Sequence, residues 1–356
     1  MQRRALTLSL SGTTVALLTA SAFLIPTPYA EMSPGPTYDT LGSYSTDSGQ
    51  PAKPVIDISG TQTFPHSSGG QLRMVTVEVS RADYKPNSVE VLSGWLSSDK
   101  IVVPRTVIYP AGQTTEEANQ QNTAMFDDSE DQAITAALAA KGIKPVRTEV
   151  IVDSVTSGSP ADGKLQPQDV IDAVDGTALV NPDDVHTLIQ KHKPGDTVVF
   201  TVTRAGKQQQ VSVVTTQSHD TGPSRALVGF LPGTQNVFPF AVKIQLDNVG
   251  GPSAGMMFAL GIIDELSQQD LTGGLKIAGT GTIDSTGKVG AIGGVQMKTL
   301  AAKRDGATVF LTPADNCADA AKNAPSGLRL VKVSTLQDAL NALNTLRAGG
   351  TPQSCS

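Results

Sequence analysis

Two stretches, Gly250-Gly-Pro-Ser-Ala-Gly255 and, further on, Gly290-Ala-Ile-Gly-Gly-Val-Gln-Met-Lys298, hold the densest chemical information in this sequence of 356 residues. A serine set among small residues at the start of an apolar helical run is open to a substrate from several sides. The glycines let backbone approach closely, and free N–H groups at a helix start can bind an oxyanion. The second stretch opens a short helix whose Leu300, Ala301 and Ala302 would surround Lys298 with apolar groups. Burial disfavours the charged ammonium and lowers its pKa, so a neutral amine becomes available to take the proton of Ser253. Ser–Lys pairs are a known variant of nucleophilic catalysis. The four histidines, His66, His186, His192 and His219, are scattered and none has a local catalytic context, so the base has to be something other than histidine.

Working outward, Gln71-Leu-Arg-Met-Val-Thr-Val-Glu-Val79 alternates polar and apolar residues as a half-buried strand does. A helix is expected over Ser129–Lys141, with Ser129-Glu-Asp-Gln132 as a capping box. Residues 146–217 form a distinct block of short strands around one helix near Pro182–His192. Its landmarks are Thr148–Val155, Ser157-Gly-Ser-Pro-Ala-Asp-Gly163 and Asp169-Val-Ile-Asp-Ala-Val-Asp-Gly176, followed by strands over Thr197–Arg204 and Gln209–Thr215. Further helices fit Ser253–Leu266, Val295–Arg304 and Thr335–Leu346, and in the last of these Leu336, Leu340 and Leu343 share a face.

The block 146–217 resembles a PDZ domain of the bacterial protease type. That resemblance implies binding of extended peptide ends by strand addition, with a purely spacing role as the alternative. Gly251-Pro-Ser-Ala-Gly255, Thr280-Gly-Thr-Ile283 and Gly290–Lys298 together resemble the proteolytic domain of Lon proteases, and specifically the shorter membrane-anchored Lon-like proteins with a PDZ insertion. By position the resemblance implies Ser253 as nucleophile, Lys298 as general base and Thr280 as the hydroxyl that orients the lysine amine. Gln296 stands where many Lon proteases carry an earlier lysine, and Gly250 where many carry an acidic residue. The implied fold class is α+β: a Lon-type α/β proteolytic domain built from residues 55–145 and 221–347, interrupted by the PDZ domain at 146–217 and closed by a tail at 348–356. The implied activity is an ATP-independent serine endopeptidase acting on unfolded or exposed protein segments. The alternative is a non-catalytic PDZ adaptor on an inactive protease fold. A homo-oligomer, six-membered by resemblance, is also expected.

At the N-terminus, Arg3 and Arg4 precede the uncharged stretch Ala5–Ala30, which marks an export segment. Residues 1–30 are therefore expected to be a signal anchor or transmembrane helix that holds the rest outside the cytoplasm, with a secreted form as the alternative. Residues 31–54, rich in Pro, Gly, Ser and Thr, are expected to be a linker. Cys317 and Cys355 are the only cysteines, and in an oxidising compartment an even pair invites one disulfide, two unpaired thiols being the alternative. A net charge of −6 without a long basic run argues against nucleic-acid binding. No cofactor or metal is expected. Gly281–Val289 has the wrong spacing for a phosphate-binding loop, and Asp127–Asp131 lacks the glycine turn of a calcium loop and reads as a helix N-terminal charge cluster. Ser67-Ser-Gly-Gly70 lacks the His and Asp context of a trypsin-like site.

Overall fold

The computed structural model describes residues 2–45, 51–110, 112–218, 224–247 and 249–355, with side chains from Leu10 onward; His219 lies outside them. Along the chain run α1 (Gln2–Leu24), β1 (Tyr29–Asp39), β2 (Gln71–Val79), α2 (Ser88–Leu96), β3 (Ile101–Pro104) and α3 (Thr115–Ala140). Next come β4 (Arg147–Val155), β5 (Val170–Val174), α4 (Pro182–Ile189), β6 (Thr197–Arg204), β7 (Lys207–Val214) and β8 (Phe230–Val237). The chain closes with α5 (Gly255–Glu265), β9 (Lys276–Gly279), α6 (Val295–Arg304), β10 (Val309–Pro313), α7 (Cys317–Lys322), β11 (Arg329–Val333) and α8 (Leu336–Arg347). Two units result: Met1–Lys141 with Val242–Ser356, and Gly142–Ala241.

In the discontinuous unit a mixed sheet has the order β11-β10-β9-β2-β1-β3. Strands β2, β9, β10 and β11 are parallel to their neighbours in that run, whereas β1 pairs antiparallel with both β2 and β3. The alternation in Gln71–Val79 buries Leu72 and Met74, and Ile277, Phe310 and Val331 from the neighbouring strands are buried with them. Helix α5 is buried along nearly its whole length from Gly255 to Asp264. It packs on α3, with Phe126 meeting Phe258 edge to face.

The expected domain boundary moves: residues 224–241, read as part of the proteolytic domain, belong to the unit Gly142–Ala241 and supply its strand β8. Three further expectations change here. The stretch expected to be a linker from residue 31 begins as a strand, because β1 spans Tyr29–Asp39 and sits between β2 and β3. Pro34 and Pro36 disguise it: each lacks an N–H, and the register of β1 against β2 shifts between Pro34 and Thr37, which absorbs the missing donors. Second, α3 starts at Thr115 behind a Thr114–Glu117 capping box, so Ser129 and the Asp127–Asp131 cluster lie in mid-helix rather than at its start. Third, no helix among the described residues is long and apolar enough to cross a membrane. α1 has the length, with 23 residues, but Thr7, Ser9, Ser11, Thr13, Thr14, Thr19 and Ser21 dilute its apolar content, so the expected transmembrane helix is not supported.

The unit Gly142–Ala241 has its own sheet in the order β7-β6-β5-β4-β8. Its core gathers Val152, Ile171, Val174, Val185, Val198, Phe200 and Val213, all buried. Asp169, 1% exposed, is gripped by the Arg204 guanidinium through two contacts of 2.6 Å. That fork holds the turn before β5 to β6. Val146 N–H donates to the Val237 carbonyl at 2.7 Å, and Arg147 lies opposite Val237, so the unit begins and ends on adjacent strands.

Candidate active site

Ser253 stands two residues before α5, in a turn that needs Gly251 at φ +81°, a conformation favouring glycine. The Gly251 N–H donates to the Asn122 carbonyl of α3 at 2.9 Å, and the Ser129 hydroxyl donates to the Pro252 carbonyl at 3.1 Å. On the other side, the Ser253 carbonyl accepts from the Gly281 N–H and from the Thr280 hydroxyl, each at 2.9 Å. The nucleophile turn is thus held between α3 and the segment after β9. Gly250 also has a steric reason: a Cβ there would come within 2.9 Å of Asn122 Cβ.

Lys298 sits in the first turns of α6 and is 1% exposed. Its Nζ lies 2.7 Å from Ser253 Oγ and 2.9 Å from Thr280 Oγ1. Burial alone brings its pKa down to about 7. The proton positions follow from counting donors. Thr280 spends its hydroxyl proton on the Ser253 carbonyl, so its oxygen accepts an N–H from Lys298. A neutral Lys298 then directs its lone pair at the Ser253 hydroxyl. The three residues singled out in the sequence are therefore brought together, although they lie in three different segments.

A cavity of about 250 Å³ opens beside Ser253, lined by Pro36 and Tyr38 of β1, Met74 and Val77 of β2, and Val249–Gly251. Sequence reasoning missed the β1 wall because that segment read as a linker. On the α3 side, Glu130 is pushed up to about 8 by burial and by the neighbouring Asp127 and Asp131. His66, dismissed from a trypsin-like motif, lies 3.6 Å from the buried Asp264 at the far end of α5. His186 and His192 belong to the other unit. Among the described residues no group of three or more His, Cys, Asp or Glu side chains is placed to hold a metal ion.

The unit Gly142–Ala241 contains a separate groove between Val185, His186 and Ile189 of α4, with Gln190 just after it, and the run Arg225-Ala-Leu-Val-Gly-Phe230. Ser218 Oγ lines it, buried and without a hydrogen-bond partner among the described residues. The run Arg225–Phe230 lies beyond residue 217, outside the block read as a PDZ domain in the sequence. The disulfide expected from the cysteine count is formed, between Cys317 and Cys355.

Comparison with known proteins places these sites in context. Residues 125–215 match the PDZ domain and residues 248–345 the Lon protease (S16) C-terminal proteolytic domain. The Lon protease of Clostridioides difficile (strain 630) is 46% identical over 69 residues, covering 19% of this chain and 8% of that protein. Lon protease 1 of Sorangium cellulosum is 39% identical over 101 residues, covering 28% of this chain and 12% of that protein. The matches thus span a small part of these much longer relatives. A crystal structure of the PDZ domain of an SdrC-like protein from Listeria monocytogenes aligns with 28% identity, over 23% of this chain and 84% of that one, at a TM-score of 0.21. This chain carries a Lon protease C-terminal proteolytic domain together with a PDZ domain.

Proposed function

We propose that this protein is a serine endopeptidase that works without ATP, using Ser253 as nucleophile, Lys298 as general base and Thr280 to orient the lysine. The observation that carries the reading is the 2.7 Å approach of a buried lysine amine to Ser253 Oγ, with the amine's pKa lowered to about 7. In the first step the Ser253 hydroxyl proton passes to Lys298 Nζ while Oγ attacks the scissile carbonyl carbon. The oxyanion formed is met by N–H groups at the start of α5. As the intermediate collapses, the C–N bond breaks and the ammonium of Lys298 gives its proton to the departing amine, leaving an ester on Ser253. Lys298 then deprotonates a water that cleaves this ester and restores Oγ–H. The cavity walled by Tyr38, Met74 and Val77 receives the substrate side chain nearest the cut.

Working without ATP, the enzyme takes chains that are already unfolded or exposed. The groove between α4 and Arg225–Phe230 docks an extended peptide, and the Ser218 hydroxyl and the Arg225 cation supply polar contacts for it. We place the enzyme outside the cytoplasm, in the cell envelope. Arg3 and Arg4 ahead of an uncharged stretch support export, and the Cys317–Cys355 disulfide supports an oxidising compartment. Assembly into a homo-oligomer rests on the resemblance to Lon proteases and is read by sedimentation.

The test is degradation of an unfolded casein by the full chain without ATP, beside Ser253→Ala and Lys298→Ala. Loss of activity in both variants supports the dyad. An inactive parent chain, in the presence and absence of ATP, favours the non-catalytic adaptor instead.

A further inference from the structure

Helix α6 carries Lys298, and no side chain caps its start, although Val295 and Met297 of its first turn are buried. Its N-cap is Gly294, at φ +68°, with no side-chain cap and no acidic residue in the first turn. Gly293 precedes it, in open space on its Cβ side. Two consecutive glycines next to an uncapped helix form a natural hinge, because glycine has the widest backbone freedom. The hinge is nevertheless held at its far end. Asn316, 7% exposed, uses both ends of its amide on one residue: Oδ1 accepts the Ile292 N–H at 2.9 Å, and Nδ2 donates to the Ile292 carbonyl at 3.0 Å. Asn316 in turn has little freedom, since the next residue, Cys317, is cross-linked to Cys355. Ile292 and Cys355 also pack against the same apolar cluster as Val295 and Phe310.

We propose that Asn316 is a positioning residue for the catalytic lysine: by clamping Ile292 it closes the Gly293–Gly294 hinge and sets where α6 begins, and hence where the Lys298 amine meets Ser253. This rests on the dyad reading above. Asn316 touches neither Ser253 nor the amine, so it acts through the backbone of Ile292. Releasing the clamp lets the first turn of α6 shift and water reach the amine. The amine then regains its ordinary basicity and is protonated over more of the neutral range.

The experiment measures kcat, KM and the pH profile of kcat/KM for the full chain on a fluorescent unfolded casein, with thermal melting alongside. For Asn316→Ala, kcat falls about tenfold or more with a smaller change in KM, and the acidic limb of kcat/KM moves up by about one pH unit. Asn316→Asp keeps an acceptor for the Ile292 N–H but loses the donor to its carbonyl, so it falls between parent and Asn316→Ala and carries the test if the alanine variant does not fold. Adding Gly293→Ala to the Asn316→Ala variant stiffens the hinge and restores part of the lost kcat. A role in stability alone lowers the melting temperature and leaves the acidic limb where it was; that result overturns the inference. Inactivity of the parent chain is a different outcome, and it sinks the dyad reading itself.

Discussion

At the scale of single residues, the proposed chemistry turns on one lysine kept dry. Because the folded state holds Lys298 near a pKa of about 7, against an ordinary 10.5, kcat/KM is expected to rise as pH passes upward through about 7. The stability sign follows from the same shift. Between about 7 and 10.5 the unfolded chain holds the proton and the folded chain does not, so this group makes stability rise with pH across that window and weighs most against folding at pH 7 and below. Lys298→Met is therefore expected to be inactive yet more stable than the parent. Chemical denaturation at pH 7 and pH 10 should show that advantage shrinking at the higher pH. Thr280→Val matches the threonine in shape but removes both the donor to the Ser253 carbonyl and the acceptor for the amine. A fall in kcat of about ten- to a hundredfold, with KM little changed, is expected from steady-state kinetics. Ser253, Lys298 and Thr280 were legible in the sequence because their motifs are local and the residue types are chemically narrow. Asn316 was not, because it belongs to no motif and its partner Ile292, inside the lysine stretch, is 24 residues away.

At the scale of elements, α3 does the work the sequence concealed. Its first half is nearly all polar, so periodicity was visible only from Ser129 onward, although Thr114 and Glu117 cap it. Its contacts with the nucleophile turn come from a carbonyl, that of Asn122, and from the buried hydroxyl of Ser129, neither of which leaves a hydrophobic pattern. Ser129→Ala leaves the Pro252 carbonyl without that donor and is expected to lower stability by about 1–2 kcal/mol, read by urea denaturation. In the other unit, Asp169→Ala takes the carboxylate from the Arg204 guanidinium and leaves it the Lys164 carbonyl; with Arg204 28% exposed, a loss of about 2–3 kcal/mol is expected in the melting of the isolated Gly142–Ala241 unit.

At the scale of the whole molecule, one chain builds two units, and one of them is assembled from both ends of the sequence. Adjacent strands at the start and end of Gly142–Ala241 make its removal geometrically simple. Replacing that stretch by a short Gly–Ser linker is expected to leave a folded protease unit that still cleaves a small peptide, while cleavage of casein falls; circular dichroism and both assays check this. The Cys317–Cys355 bridge, spanning 38 residues, ties the C-terminal tail against β11, where Cys355 N–H reaches the Leu330 carbonyl. Replacing both cysteines by serine should cost about 2–4 kcal/mol, measured by denaturation under non-reducing conditions.

Residue type and spacing alone made several features legible: a serine and a lysine in glycine-framed motifs, a PDZ-like block between two flanks, and a cysteine pair. These are local patterns, written in residue type and spacing. Tertiary contacts alone make a proline-bearing segment an inner strand and a wall of the cleft, join α3 to the Ser253 turn and Asn316 to Ile292, and bury the Lys298 amine. Those properties depend on contacts between distant segments, and burial exists only once the chain has closed around it.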